Sequence, residues 1–367
     1  MQKTISTLKY TAIFMMSFCI AIFSIDQIIP RPAIDLGLAT AKLNYLKKNA
    51  QDYSIIFLGS SRTHRMIDSR AIEGQLQDRG CALRVFNMGF ANLTLEESDY
   101  LLAEILNIPN NNFQMIILGE PLTGLQHLNQ ARSRRTQMLS GINIATRRFE
   151  NIWSYQESWQ KKLYRSTVNI YNTAYGALNI GILSQRLFSN SYDATFTEQN
   201  LTIAQEIKTF EKHGGFKVLE DNLETNERAS IVHKNFLAQS TQFDKKLKNL
   251  LTQEIKPSVF SAKPRATIIK QQLNKITQHN IQAGFYVAPL PNRISENNSL
   301  VKTLGKTTYT LNYNDPRQMP MLWNSKYWFD PYHLNKEGAR IMSQDIGRRL
   351  YESTCPKFAH TTSTGGV

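Results

Sequence analysis

Short apolar runs alternate with amphipathic stretches through the first third of the chain. The pattern predicts strands at residues 53–59 (YSIIFLG), 83–87 (LRVFN) and 113–119 (FQMIILG), with helices at 68–79 and 93–107 between them. Each run is apolar on both faces, as in a parallel sheet covered by helices on both sides. After Pro121 the alternation stops. Residues 122–262 are polar, basic and rich in Tyr, Trp and Asn, with helix-like stretches near 150–170, 198–212 and 228–254. The alternation resumes with a helix at 264–279, strands within IQAGFYVAPL and TTYTLNY, and a last helix at 335–352. The expected fold is α/β: a doubly wound, flavodoxin-like parallel sheet over 53–121 and 263–355, with a large helical insertion at 122–262. Residues 31–52 read as a helical connector and 356–367 as a disordered tail.

The start of the chain has a different character. Lys3 and Lys9 precede an uncharged apolar run, so that residues Thr11 to Ile29 form a stretch of about nineteen residues interrupted only by Asp26, close to the ~20 needed to span a bilayer. No small-x-small cleavage site follows the run directly. An uncleaved signal anchor, a transmembrane helix within residues 1–30, is the favoured reading; a cleaved signal peptide and a buried helix are the alternatives. The two lysines then keep the N-terminus inside and place the domain on the periplasmic or extracellular side of a bacterial cytoplasmic membrane.

Charge changes the picture only in company with that anchor. The chain has 43 Lys+Arg against 29 Asp+Glu, a net charge of +14, which favours polyanionic partners without choosing among them. Export leaves out nucleic acid and points to a membrane surface or an anionic glycan. Of three cysteines, Cys19 lies in the apolar run, leaving Cys81 and Cys355. Cys81 follows the first helix of the α/β pattern and Cys355 the last. Those helices usually cover the same face of a doubly wound sheet, so a disulfide between the two is expected, with two free thiols as the alternative. No Cys or His pair has zinc-like spacing and no glycine-rich phosphate loop occurs, so neither a metal nor another cofactor is expected.

Three separated segments carry candidate chemistry. Gly59-Ser60-Ser61 ends the first strand, Asn87-Met88-Gly89 follows the second, and Asp330-Pro331-Tyr332-His333 precedes the last helix. A Gly-Ser-Ser run alone is an ordinary strand end. In this topology, however, all three segments reach the carboxyl edge of the sheet, where open α/β folds bind ligands. A serine hydroxyl needs a base to take its proton; His333 can supply it, and Asp330 can orient the imidazole and stabilise its charged form.

In this order and context the segments resemble the blocks of the SGNH, or GDSL-type, hydrolase superfamily. The resemblance covers residues 50–120 and 265–353 and is greatest to membrane-anchored, exported members that act in polysaccharide O-acylation, of the alginate acetylation and D-alanyl-lipoteichoic acid types. It implies a serine O-acyltransferase or esterase with Ser61, His333 and Asp330 as triad and the backbone N–H groups of Ser61 and Gly89 as oxyanion donors. Its substrate would be a polysaccharide or other acylated glycan, acetyl the first choice of acyl group, and an integral-membrane O-acyltransferase the implied partner. One block departs. Where the superfamily has G-x-N-D, this chain has LGEPLTG, and neither an ionised Glu120 nor Pro121 can donate there. Asn92 is the first substitute donor and Gln126 the second. The departure keeps a catalytically impaired glycan-binding or assembly component as one alternative; a lipid or peptide ester hydrolase is another.

Further side chains are candidates for substrate binding. Arg62 and His64 adjoin the nucleophile and suit an acyl or anionic sugar group, or else form a solvated rim, with Glu120 available to pair with Arg62. Trp323 and Trp328 flank the Asp-His segment and suit sugar stacking, or else wall a pocket. The run Arg132, Arg134, Arg135, Arg147 and Arg148, followed by Trp153, Tyr155 and Trp159, suits an acidic glycan, or else is a basic helix surface with its rings packed inward.

Overall fold

The computed structural model of the protein describes residues 9–18, 20–21, 24, 37–120, 139, 142–154, 157–177, 207–252, 254, 262–305 and 309–359. Two compact units are present, one formed by Met1–Leu36 with Gly124–Glu198 and the other by Gly37–Thr123 with Gln199–Val367. The expected insertion falls in both units, with residues 124–198 in the first and those from 199 in the unit of the sheet.

The α/β unit begins with α1 (Leu38–Lys48) and continues through β1 (Ile55–Leu58), α2 (Ser61–Met66), α3 (Ser69–Gln77), β2 (Val85–Asn87), α4 (Leu95–Leu106) and β3 (Met115–Gly119). The other unit contributes α5 (Ile142–Ser154) and α6 (Trp159–Ala177). The α/β unit then adds α7 (Glu227–Ala238), α8 (Ser240–Thr252), α9 (Lys263–Gln278), β4 (Gln282–Val287), α10 (Ile294–Leu304), β5 (Tyr309–Asn312), the hairpin β6 (Trp328–Asp330) and β7 (His333–Leu334), and α11 (Lys336–Ala359). Strands β1 to β5 form one parallel sheet in the order β2-β1-β3-β4-β5. Register follows the apolar runs, with Ile55 beside both Val85 and Met115 and Met115 beside Gln282. The order reverses at β1, so a crevice opens above the carboxyl ends of β1 and β3, the point at which such sheets place ligands.

Alternation within the buried strands builds the core. Ile55, Phe57, Val85, Met115 and Ile117 share one cluster with Ile72 and Leu76 of α3 and Met342, Ile346 and Leu350 of α11. Helix α3 starts where the Asp68 carboxylate accepts the Arg70 and Ala71 N–H groups, and α4 starts with a Thr94–Glu97 capping box. Helices α3 and α11 pack against each other so closely that a Cβ at Gly347 would overlap Gln75 and the Ile72 carbonyl. At the end of that contact Cys81 and Cys355 form a disulfide, with Cα atoms 6.1 Å apart and a sequence separation of 274.

Two local expectations need correction, and a third finds no support among the described residues. The last helix continues to Ala359, into the expected tail, because α11 keeps its backbone bonding past Cys355; residues 360–367 lie outside the described residues. Among the described residues no helix is long and apolar enough to cross a membrane. Residues 9–18 are helical and much of the remaining candidate span lies outside the described set, so the expected transmembrane helix is without support. Helices α2 and α10 and the β6–β7 hairpin were not expected; each is short or lacks a strong apolar period.

The disulfide closes a very long loop, and its loss is expected to lower the unfolding free energy by about 2–4 kcal/mol. Denaturant unfolding of Cys81→Ser/Cys355→Ser against wild type, under non-reducing conditions, measures the difference.

Candidate active site

Three glycines decide where Ser61 stands. A Cβ at Gly59 or Gly119 would overlap the Thr63 side chain, and one at Gly89 would overlap the backbone of Thr63 and His64. Bare backbone at the ends of β1 and β3 and beside β2 therefore lets α2 sink into the carboxyl edge of the sheet. Asn87 then clamps it: its side-chain N–H₂ donates to the Thr63 and Ile67 carbonyls, both at 2.7 Å. Ser61 is the first residue of α2, where a backbone N–H has no partner within the helix.

Beneath this turn lies a cation that the sequence did not single out. Lys42 of α1 is fully buried, and its Nζ donates to the carbonyls of Asn87 (2.8 Å), Gly89 (2.7 Å) and Gly215 (2.7 Å) and lies 3.0 Å from His64 Nδ1. An ammonium cannot accept, so the Nδ1 lone pair faces it and shares its three protons with the three carbonyls, and the ring proton sits on Nε2, which is buried without a hydrogen-bond partner. Burial first, then the charges of Lys42 and Arg65, push the His64 pKa well below the ordinary imidazole value.

Ser61 Oγ lies 3.1 Å from His333 Nε2, and His333 Nδ1 lies 3.0 and 3.1 Å from the two Asp330 carboxylate oxygens. Asp330 Oδ1 also accepts the backbone N–H groups of Tyr332 (2.7 Å) and His333 (2.8 Å), which fixes the carboxylate in the turn. With Nδ1–H donated to Asp330, the Nε2 lone pair faces the serine hydroxyl, the tautomer a general base requires. Asp330 is buried, while Ser61 and His333 are partly open to solvent. The loop is braced from α7 and α8. His233 stacks on Phe329 with ring centroids 4.3 Å apart and donates Nδ1–H to the Phe329 carbonyl at 2.8 Å, and Asp244 accepts the backbone N–H and hydroxyl of Ser325. Nothing in the spacing of His233 or Asp244 marks them beforehand.

The donor set differs from the expected one. The Gly89 N–H donates at 2.8 Å to the Asn87 side-chain oxygen, so the glycine serves close approach rather than presenting a free donor. Asn92 sits exposed in a left-handed turn (φ 58°), and Gln126 is outside the described residues. Glu120 at the end of β3 is buried and fully engaged: Oε1 accepts from Arg265 Nη2 at 2.7 Å, Oε2 from Asn297 Nδ2 at 2.8 Å, and Arg62 Nη2 stands 3.8 Å away. It holds Arg62, as the charges suggest, but Arg265 is the nearer cation.

Several substrate-binding expectations are overturned by burial. Arg62 and His64 are buried, not at a rim, because α2 is set into the glycine cradle; desolvation lowers the Arg62 pKa, and its Nε and Nη2 make no hydrogen bond. Trp323 and Trp328 are 2% and 1% exposed. Their rings meet at 6.1 Å, Phe243 packs on Trp328 at 5.4 Å, and the Trp328 indole N–H donates to the Leu322 carbonyl, so neither face is free for a sugar. Trp153 and Trp159, by contrast, are exposed rather than packed inward. Arg132, Arg134, Arg135 and Tyr155 lie outside the described residues.

Two outcomes follow from the buried cation. Lys42→Met orphans three carbonyls at ~1–3 kcal/mol each, and urea unfolding is expected to register a loss of roughly 3 kcal/mol or more. The depressed His64 pKa gives the second: the unfolded chain binds a proton near the ordinary value of 6.5 that the folded chain refuses. Stability is thus complete above that pH and declines as pH falls below it. Thermal unfolding from about pH 7.5 to pH 5 shows this decline in wild type, and His64→Gln flattens it.

Set against known proteins, the chain matches no protein-family model and no curated sequence, and its site stands on geometry alone.

Proposed function

We propose that the protein is a serine O-acyltransferase or esterase of the SGNH type, exported and membrane-anchored, acting on acyl esters, acetyl foremost, of a cell-surface or secreted polysaccharide. The observation that carries this reading is the line from Ser61 Oγ through His333 to Asp330, opening at the reversal point of the sheet. Ser61 Oγ attacks the acyl carbonyl carbon as His333 Nε2 takes its proton. The tetrahedral adduct collapses, the ester C–O bond breaks, and the same proton passes to the departing alkoxide. A glycan hydroxyl or water then attacks the acyl-enzyme, giving its proton to His333, and the released Ser61 oxygen takes it back. Asp330 keeps the imidazole in register and stabilises its charged form. Oxyanion stabilisation rests first on the Ser61 N–H, at the start of α2. Export is supported by the apolar N-terminal run, whose Phe14, Met16 and Ile20 side chains are exposed. An integral-membrane O-acyltransferase supplying acyl groups belongs to the same reading.

A second reading has its own observation. The Gly89 N–H is occupied by Asn87 and Glu120 offers no donor, which suits a glycan-binding or assembly component with a weakened site.

A serine-directed fluorophosphonate separates the two. Wild type is expected to label and Ser61→Ala to lose the label with an unchanged circular dichroism spectrum, while Asp330→Asn slows acetyl ester turnover by roughly 10³–10⁴-fold. Absence of label on wild type would favour the binding component.

A further inference from the structure

Helices α5 and α6 form a hairpin bonded across its inner side. Asn169 Nδ2 donates to the Ala145 carbonyl at 2.9 Å, the Trp153 indole N–H to Ser166 Oγ at 3.2 Å, and Val168 and Asn172 are buried. The outer side is the opposite of what water selects. Trp159, Leu163 and Ile170, spaced by four and seven residues, fall on one stripe of α6, with Tyr164 and Tyr171 roughly 100° further round the helix, beyond the exposed Gln160 and Thr167. All five are exposed, Trp159 at 65%, and Trp153 of α5 adds a further indole at 53%. Large apolar side chains exposed together on a folded unit mark an interaction site.

The chemistry of the flanks selects the occupant. Arg147, Arg148, Lys161, Lys162 and Arg165 stand against Glu150 in these two helices and Glu157 just before α6, a net charge of +3 in which Arg165 is paired with Glu157 at 2.8 Å. Lys162 Nζ lies 5.7 Å from the centre of the Trp153 ring and donates to the Trp153 carbonyl, so a cation borders the apolar stripe. Indoles and phenols at one level, leucine and isoleucine on the same face and cations beside them are the residue set of a helix lying in the interface of an anionic bilayer. A sugar chain would use the rings and the cations but gains nothing from Leu163 and Ile170. We infer that the outer face of the α5–α6 hairpin lies on an anionic lipid surface, a contact separate from the N-terminal run and independent of the catalytic reading. It buries the stripe in the acyl boundary and leaves Lys161 and Lys162 among the headgroups.

The four tryptophans of the chain make the test direct, because Trp323 and Trp328 are sealed in the core and report the background. Full-length protein is mixed with vesicles of phosphatidylglycerol and phosphatidylcholine carrying brominated acyl chains, which quench indoles only at acyl depth. Emission from Trp153 and Trp159 is expected to fall by roughly half, less at high salt and less without phosphatidylglycerol. W153F/W159F is expected to remove the quenching. Leu163→Glu/Ile170→Glu is expected to reduce it severalfold while Trp323 and Trp328 stay shielded from acrylamide, which shows the fold intact. The inference is overturned if brominated lipid leaves wild-type emission unchanged while acrylamide still quenches it. It is equally overturned if Trp153 and Trp159 become shielded without lipid, by self-association of the chain or by an added anionic polysaccharide.

Discussion

The buried ammonium of Lys42 is the interaction on which the site rests. Its three carbonyl partners belong to the end of β2, the turn after it and residue 215, and its fourth contact is a ring of α2. Carbonyls that converge without a donor repel one another and stay unsolvated; one cation at their centre turns that cost into a clamp. The clamp explains why α1 is part of the α/β unit instead of a passive connector. Burial first and the Lys42 charge second hold the His64 pKa down, and the bond to the Gly215 carbonyl ties that turn to the sheet edge. The glycines at 59, 89 and 119 supply the complementary condition, since only bare backbone lets α2 approach closely enough for the clamp to reach it.

From that base the Ser61–His333–Asp330 geometry is assembled by parts distant in sequence. Ser61 is delivered by β1 and the cradle, and Asp330 and His333 by a small hairpin before α11. The hairpin is steadied by α7 and α8, from a region that reads as insertion. Glu120 follows β3 at the same edge of the sheet, and its charge is fully used there. It neutralises Arg265 and stands within 4 Å of Arg62 in a dry environment, where either cation alone would be costly. The reading as an enzyme and the reading as a binding component thus meet at a single charge cluster beside the nucleophile.

The sheet was legible because strands buried on both faces must be continuous apolar runs, and YSIIFLG, LRVFN and FQMIILG are such runs. So was the convergence of Gly59-Ser60-Ser61 and Asp330-Pro331-Tyr332-His333, since strand order dictates which edge their loops share. Helix α2 was not legible, being only six residues long and read as part of a turn. The tryptophans beside the Asp-His segment stayed open between two readings for a physical reason: an indole is equally suited to a core and to a sugar platform, and position along the chain does not distinguish them.

The sequence by itself determined the parallel α/β core, the three segments at its carboxyl edge and their residue types, because burial and strand direction are encoded locally. Only the tertiary structure decided which donors remain free, which cations are buried and which aromatic rings face outward. Those properties depend on neighbours tens to hundreds of residues away: Asn87 taking the Gly89 N–H, Arg265 reaching Glu120, and Lys42 gathering carbonyls as far along the chain as Gly215.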